Sequence, residues 1–121
     1  MNQPISSPRL LSRFIAYRAA LAAVEATRIA SGRWQGWAWL RDQALRAAGS
    51  IAHNLAEGNG HRPGSAGRAR YQRIALGSAL ELEAALDLAA AAGLGVPDEL
   101  NAAIAAAGRV AALCTALTRR R

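Results

Sequence analysis

Residues 40–58 read LRDQALRAAGSIAHNLAEG, and the periodicity of this stretch decides the fold. Leu40, Ala44, Ala47, Ile51 and Leu55 recur at three- and four-residue steps, which places them on one face of an α-helix. Alternation of apolar and polar residues, the mark of a half-buried strand, occurs neither here nor elsewhere in the chain. Beside the stripe runs a polar row of Arg46, Ser50, Asn54 and Glu57. Glu57 precedes Gly58-Asn59-Gly60, so its carboxylate faces the negative end of the helix dipole, where a cation is favoured.

Upstream, Leu10, Phe14, Tyr17, Leu21 and Val24 form a heptad-like seam, with Ser7 suited to the N-cap and Pro8 to the first helical position. This first helix is expected to end near Ser31-Gly32. GRWQGWAWL, with Trp34, Trp37 and Trp39, leads into the second helix, from about Trp37 to Glu57. The glycine-rich GNGHRPGSAG of residues 58–67 breaks the chain again. A third helix from about Ser65 to Ala92 carries Tyr71, Ile74, Ser78, Leu82, Ala85 and Ala89 on one side. After GLGVPDE, a fourth carries Leu100, Ile104, Ala107, Ala111, Cys114 and Leu117. Short links between four helices predict an all-α, antiparallel up-down-up-down four-helix bundle over residues 8–118. A loose tail is expected at 1–7 and a basic tail at 119–121, the latter at the end of the bundle opposite the 58–67 junction.

The chain has 121 residues, the size of one domain; 52% are hydrophobic but only 5% aromatic, so alanine dominates the apolar content. The net charge of +7 comes with arginine as the sole basic side chain besides histidine, which permits contact with nucleic acid or an acidic surface. A lone cysteine, Cys114, fits a reducing cytoplasm and reads as a small core hydrophobe. Arg9, Arg13 and Arg18 interrupt any early apolar region, and Asp87 and Arg109 interrupt the alanine-rich runs. The expectation is a soluble cytoplasmic protein with no membrane partner. The back of the second helix, at Gly49, Ala52, His53 and Ala56, is small or neutral where solvent-facing helices carry charge. That pattern predicts burial on two sides and hence a homo-oligomer.

LRDQALRAAGSIAHNLAEGNG, followed by IALGSALELEAAL, resembles the four-helix-bundle family of the 23S ribosomal RNA intervening-sequence type. The resemblance rests on Leu40, Gln43, Arg46, Ala47, Ser50, Ile51, Asn54, Ala56, Glu57 and Gly58, then on Ile74, Ala75, Gly77, Ser78, Glu81 and Glu83. It departs at Arg33, Trp34, Gln35 and Gly36, where such proteins often have proline followed by acids. The resemblance implies a left-turning bundle assembled as a ring, commonly a pentamer, with no established enzymatic activity. The accessory protein of diversity-generating retroelements, which works with a reverse transcriptase and nucleic acid, is a more distant likeness.

Two residue groups are candidate sites. Arg46, Ser50, Asn54 and Glu57, with Ser78 and Glu81 on the third helix, read as a structural polar network that fixes helix register or a subunit seam. In it Arg46 is expected to reach Glu81 or Glu83, and Glu57 to accept from Arg73 or from backbone at 58–62. A ligand site or a solvated flank are the alternatives. Arg62, Arg68, Arg70 and Arg73, near His61, form a basic cluster suited to the phosphates of RNA or a ribonucleoprotein, against an ordinary solvated basic surface. No nucleophile–base set, nucleotide fingerprint or Glu-x-x-His pair is present, and glycines separate Glu57 from His61. No catalytic residue, cofactor or metal is expected. A structural or protein-partner scaffold, using the tryptophans and low-charge faces, is the rival to RNA binding.

Overall fold

The computed structural model describes residues 10–119. The 1–7 tail, the Ser7–Pro8 start, and Arg120 and Arg121 lie outside the described residues. Four helices account for most of the rest: α1 Ile15–Ser31, α2 Ala38–Asn59, α3 Ala66–Ala91 and α4 Pro97–Thr118. Each packs on its chain neighbours and α4 closes back on α1, giving an up-down-up-down bundle in which α2 and α3 pack most extensively.

The predicted helix starts hold where the capping chemistry is strong. Ser65 Oγ accepts from the Arg68 backbone N–H at 3.2 Å and opens α3. Pro97 opens α4 with Asp98 and Glu99 in its first turn. The first helix begins later than its seam predicts. Residues 10–13 form a turn, Phe14 is extended, and Leu10 is 98% exposed.

Small side chains line the bundle interior. On α1 the buried stripe is Ala16, Ala20, Ala23, Thr27 and Ala30, whereas Phe14, Tyr17 and Val24 flank it and Leu21 is exposed. The same shift occurs on α3, where Ala75 and Ala79 are buried beside an exposed Ile74 and a half-buried Tyr71. On α4 Ala103 and Val110 are buried and Ile104 is exposed. Methyl groups let helix axes approach closely, so the larger side chains are displaced toward the grooves. The α2 stripe of Leu40, Ala44, Ala47, Ile51 and Leu55 is fully buried as predicted. By length and composition α4 could cross a membrane, despite Arg109. Here Ala103, Ala107, Val110 and Cys114 face the bundle core.

The loops sort the ends of the molecule. Gly95 (φ 71°) lies against Trp34, so the turn before α4 packs on the turn after α1, and Arg33 Nε meets Glu99 Oε1 at 3.2 Å across them. Trp34 is thereby buried, while Trp37 is half-buried and Trp39 exposed. The start of α1, the α2–α3 junction and the end of α4 share the other end. A groove of about 270 Å³ there is lined by Arg13, Phe14, Leu113 and Leu117. Arg119 therefore lies at the same end as the 58–67 junction, not opposite to it. Two helices of similar span separate that junction from the end of α4, and the second brings the chain back to the level from which the first departed.

Candidate functional site

At the α2–α3 junction the last turn of α2 runs almost against the second turn of α3. A methyl group on Gly58 would sit 3.2 Å from Tyr71 Cβ and 3.5 Å from the Arg68 carbonyl. Glycine at this position lets the two backbones approach. Arg68 secures the turn that follows: its Nε donates to the His61 carbonyl at 3.0 Å and its Nη2 to the Asn59 carbonyl at 3.2 Å. A cation in the first turn of α3 opposes that helix's dipole, yet the same guanidinium satisfies carbonyls at the negative end of α2. Its unfavourable position in one helix is offset by its favourable position in the other.

The His61 ring lies on Gly67 and 5.3 Å from the Tyr71 ring, tilted by 31°. The Arg70 guanidinium stands 5.6 Å from the centre of the same tyrosine ring. Arg62, Arg70 and Arg73 are exposed. Among the described residues the ion pair formed is Arg33–Glu99, so these three arginines project without a carboxylate partner. Of the predicted cluster, Arg68 is committed to the backbone and the other three face solvent.

The polar row divides in the same way. Ser50 Oγ and Ser78 Oγ are 2.8 Å apart across α2 and α3. Asn54 Nδ2 donates to Ser50 Oγ at 3.0 Å and to the Ser50 carbonyl at 2.8 Å. These three residues form one partly buried cluster. Arg46 instead donates to Gln43 at 2.7 Å, along its own helix, and forms no ion pair with Glu81 or Glu83. Glu57 and Glu81 are exposed, and Glu57 makes no ion pair with Arg73. The outward faces that carry these charges do not meet across the α2–α3 groove, so the charged members stay outside the hydroxyl–amide cluster.

A further feature of the charge distribution escaped sequence reading. Arg13, Arg62, Arg68, Arg70, Arg73 and Arg119 gather toward the junction end, where the carboxylate is Glu57. Glu25, Asp42, Glu83, Asp87, Asp98 and Glu99 lie toward the other end, interspersed with Arg28, Arg33 and Arg41, and Glu81 stands near mid-length. Arginines thus dominate the junction end, whereas acids outnumber arginines at the other. Following chain direction through each helix would have revealed it, because the start of α1, the α2–α3 junction and the end of α4 fall together. Such an end can attract a polyanion and offer planar guanidinium donors to its phosphates.

Among the described residues no group of three or more His, Cys, Asp or Glu side chains converges. Cys114 is buried, and burial pushes its thiol up to about 11, which keeps it protonated.

Residues 16–116 match the family model described as 23S rRNA-intervening sequence protein. No curated protein matches the chain.

Proposed function

The chain belongs to the 23S rRNA-intervening sequence protein family, and from that premise we propose that it is a non-enzymatic, self-assembling cytoplasmic bundle that associates with RNA or a ribonucleoprotein. The contact surface is the arginine-bearing junction end. The observation that carries this reading is the exposure of Arg62, Arg70 and Arg73 without ion-pair partners, beside a junction that Arg68 holds in shape. Arg13 and Arg119 reinforce the same end. Assembly as a ring, a pentamer by family resemblance, would repeat this surface around one axis and convert weak single contacts into avidity.

Phosphate contacts of this kind release counterions and weaken steeply with salt. Fluorescence anisotropy with labelled structured RNA therefore tests the reading at about 50 mM and about 150 mM salt. Binding at the lower salt that weakens at the higher supports it. No change in anisotropy at the lower salt contradicts it. A protein-partner scaffold is the second reading, favoured by Leu80 and Leu88 standing half exposed on α3. Recovery of one stoichiometric protein partner from nuclease-treated lysate, together with no RNA binding, would favour that alternative.

A further inference from the structure

The α2–α3 junction carries a group of flat side chains besides its charge. The His61 ring stands 5.3 Å from the Tyr71 ring, and the Arg70 guanidinium lies 5.6 Å from the centre of that tyrosine ring. His61 is nevertheless exposed, as are Arg62 and Arg70, whereas Tyr71 is half-buried. One edge of the imidazole rests on α3: Nδ1, Cγ and Cε1 occupy the space that a β-carbon at position 67 would take. Glycine is a poor helix former beside alanine, and the helices of this chain are rich in alanine. At Gly67, the second residue of α3, the missing methyl is what seats the ring. The backbone beneath the ring is fixed as well. The His61 N–H donates to the Gly58 carbonyl at 3.0 Å, and the His61 carbonyl accepts from Arg68 Nε at 3.0 Å.

The other rings among the described residues are placed differently. Phe14, Tyr17 and Trp37 pack against the core, and Trp34 is buried. Trp39 is exposed, but it stands at the end where acids outnumber arginines, with Asp42 one turn along α2. His53 is exposed on α2, apart from the ring pairs and from the Arg70–Tyr71 contact. Glu57 is the carboxylate nearest in the chain to His61; it forms no ion pair, and Arg62, Arg68, Arg70 and Arg73 outnumber it.

We infer that this surface takes RNA at unpaired nucleotides, one base stacking on the outward face of His61 while Arg62 and Arg70 hold the phosphates beside it. The assignment rests on the RNA association of the proposed function and names the form of RNA that is selected. Bases in a duplex stack on one another, so their faces are closed to a side chain; those of a loop or single strand are open. Aromatic rings serve such bases as platforms, and the contact tolerates any base because each has a π-face. Phosphate contact by itself works against this choice, because a duplex has the denser charge and each contact releases more counterions from it. A preference for single strands therefore reports the ring and not the arginines.

Fluorescence anisotropy at about 50 mM salt tests the assignment, with a labelled unstructured single-stranded RNA and with the duplex it forms with its complement. The proteins are the wild type, His61→Ala, His61→Phe and Gly67→Ala, with circular dichroism melts to confirm that each folds. The wild type should bind the single strand more tightly than the duplex. His61→Ala should weaken single-strand binding about fivefold or more and narrow the difference between the two RNAs. His61→Phe, which keeps a flat face without the ring nitrogens, should retain most of the preference. Gly67→Ala should narrow the difference as His61→Ala does, because the new methyl displaces the ring, and should melt near the wild type, since alanine favours the helix. A wild type that binds the duplex as tightly or more so, or a single-strand affinity indifferent to His61→Ala, would overturn the stacking role and leave the arginine contact standing. No binding of either RNA would overturn both.

Discussion

Arg68→Ala separates the two roles that sequence and structure assign to one residue. In the sequence Arg68 belongs to a phosphate-binding cluster; in the fold its guanidinium bridges the Asn59 and His61 carbonyls at 3.2 and 3.0 Å. Removing it leaves two carbonyls at the end of α2 without that donor. Hydrogen bonds from a charged donor are worth roughly 1.5–3 kcal/mol when dry, and partial solvent exposure here lowers each to about 0.5–1 kcal/mol. The side-chain stem also packs near Gly58, so the total expected loss is about 1–2 kcal/mol, or about 3–8 °C in Tm. Urea denaturation followed by circular dichroism, without RNA and at one fixed protein concentration, measures it. Arg62→Ala is the control: it is exposed, makes no ion pair, and should change stability by less than about 0.5 kcal/mol. Arg68→Lys should fall between, because one ammonium cannot reproduce the fork. If Arg68→Ala is as stable as Arg62→Ala but loses more RNA affinity, the clamp is wrong and Arg68 is a ligand contact.

Three further perturbations test the packing. Gly95→Ala should cost about 2–4 kcal/mol by urea denaturation, since φ is 71° and the new methyl would lie 3.1 Å from the Trp34 ring; a loss under about 1 kcal/mol would mean that the turn relaxes freely. A double-mutant cycle of Ser50→Ala and Ser78→Ala should give a coupling of about 0.5–1.5 kcal/mol from the 2.8 Å hydroxyl contact, and zero coupling would refute the bridge between α2 and α3. Burial raises the Cys114 pKa from about 9 to about 11, so its neutral form is retained on folding. Its contribution is fully present below pH 9 and is lost as pH rises through about 11, with a slope near 1.4 kcal/mol per pH unit between those values. Cys114→Ala should remove that component, read as the difference between the two stability–pH curves; parallel curves from pH 9 to pH 11 would show a solvated thiol.

The four helices and their breaks were legible because their signals are local. Ser65, Pro97 and the glycine-rich turns act over a few residues, and the α2 stripe from Leu40 to Leu55 needs only a period. Which apolar residues would be central was not legible. Leu21, Ile74 and Ile104 outrank their alanine neighbours in hydrophobicity, yet close axis packing selects Ala20, Ala75 and Ala103 for the interior. Side-chain partners across helices depend on rotation about each axis, which a period does not supply. Hence Ser50 and Ser78 meet, whereas Arg46 turns back to Gln43 and does not reach Glu81 or Glu83. The basic end was legible in the predicted up-down-up-down order, because α4 must run back toward the 58–67 junction and carries Arg119 there; the expectation of an opposite end did not follow that order through.

Nucleic-acid contact through the junction arginines is the central claim, and the salt dependence of RNA affinity tests it most directly. The comparison is between the wild type and an Arg62→Ala/Arg70→Ala/Arg73→Ala variant, with folding and mass checked beforehand. Removing one phosphate-binding arginine should flatten the plot of log K against log salt by about 0.7–0.9. The expected result for the triple variant is a slope flatter by two to three such increments per protomer bound, with affinity at about 50 mM salt at least tenfold weaker. A variant that binds with the wild-type slope and affinity would place the RNA elsewhere on the bundle and contradict the claim.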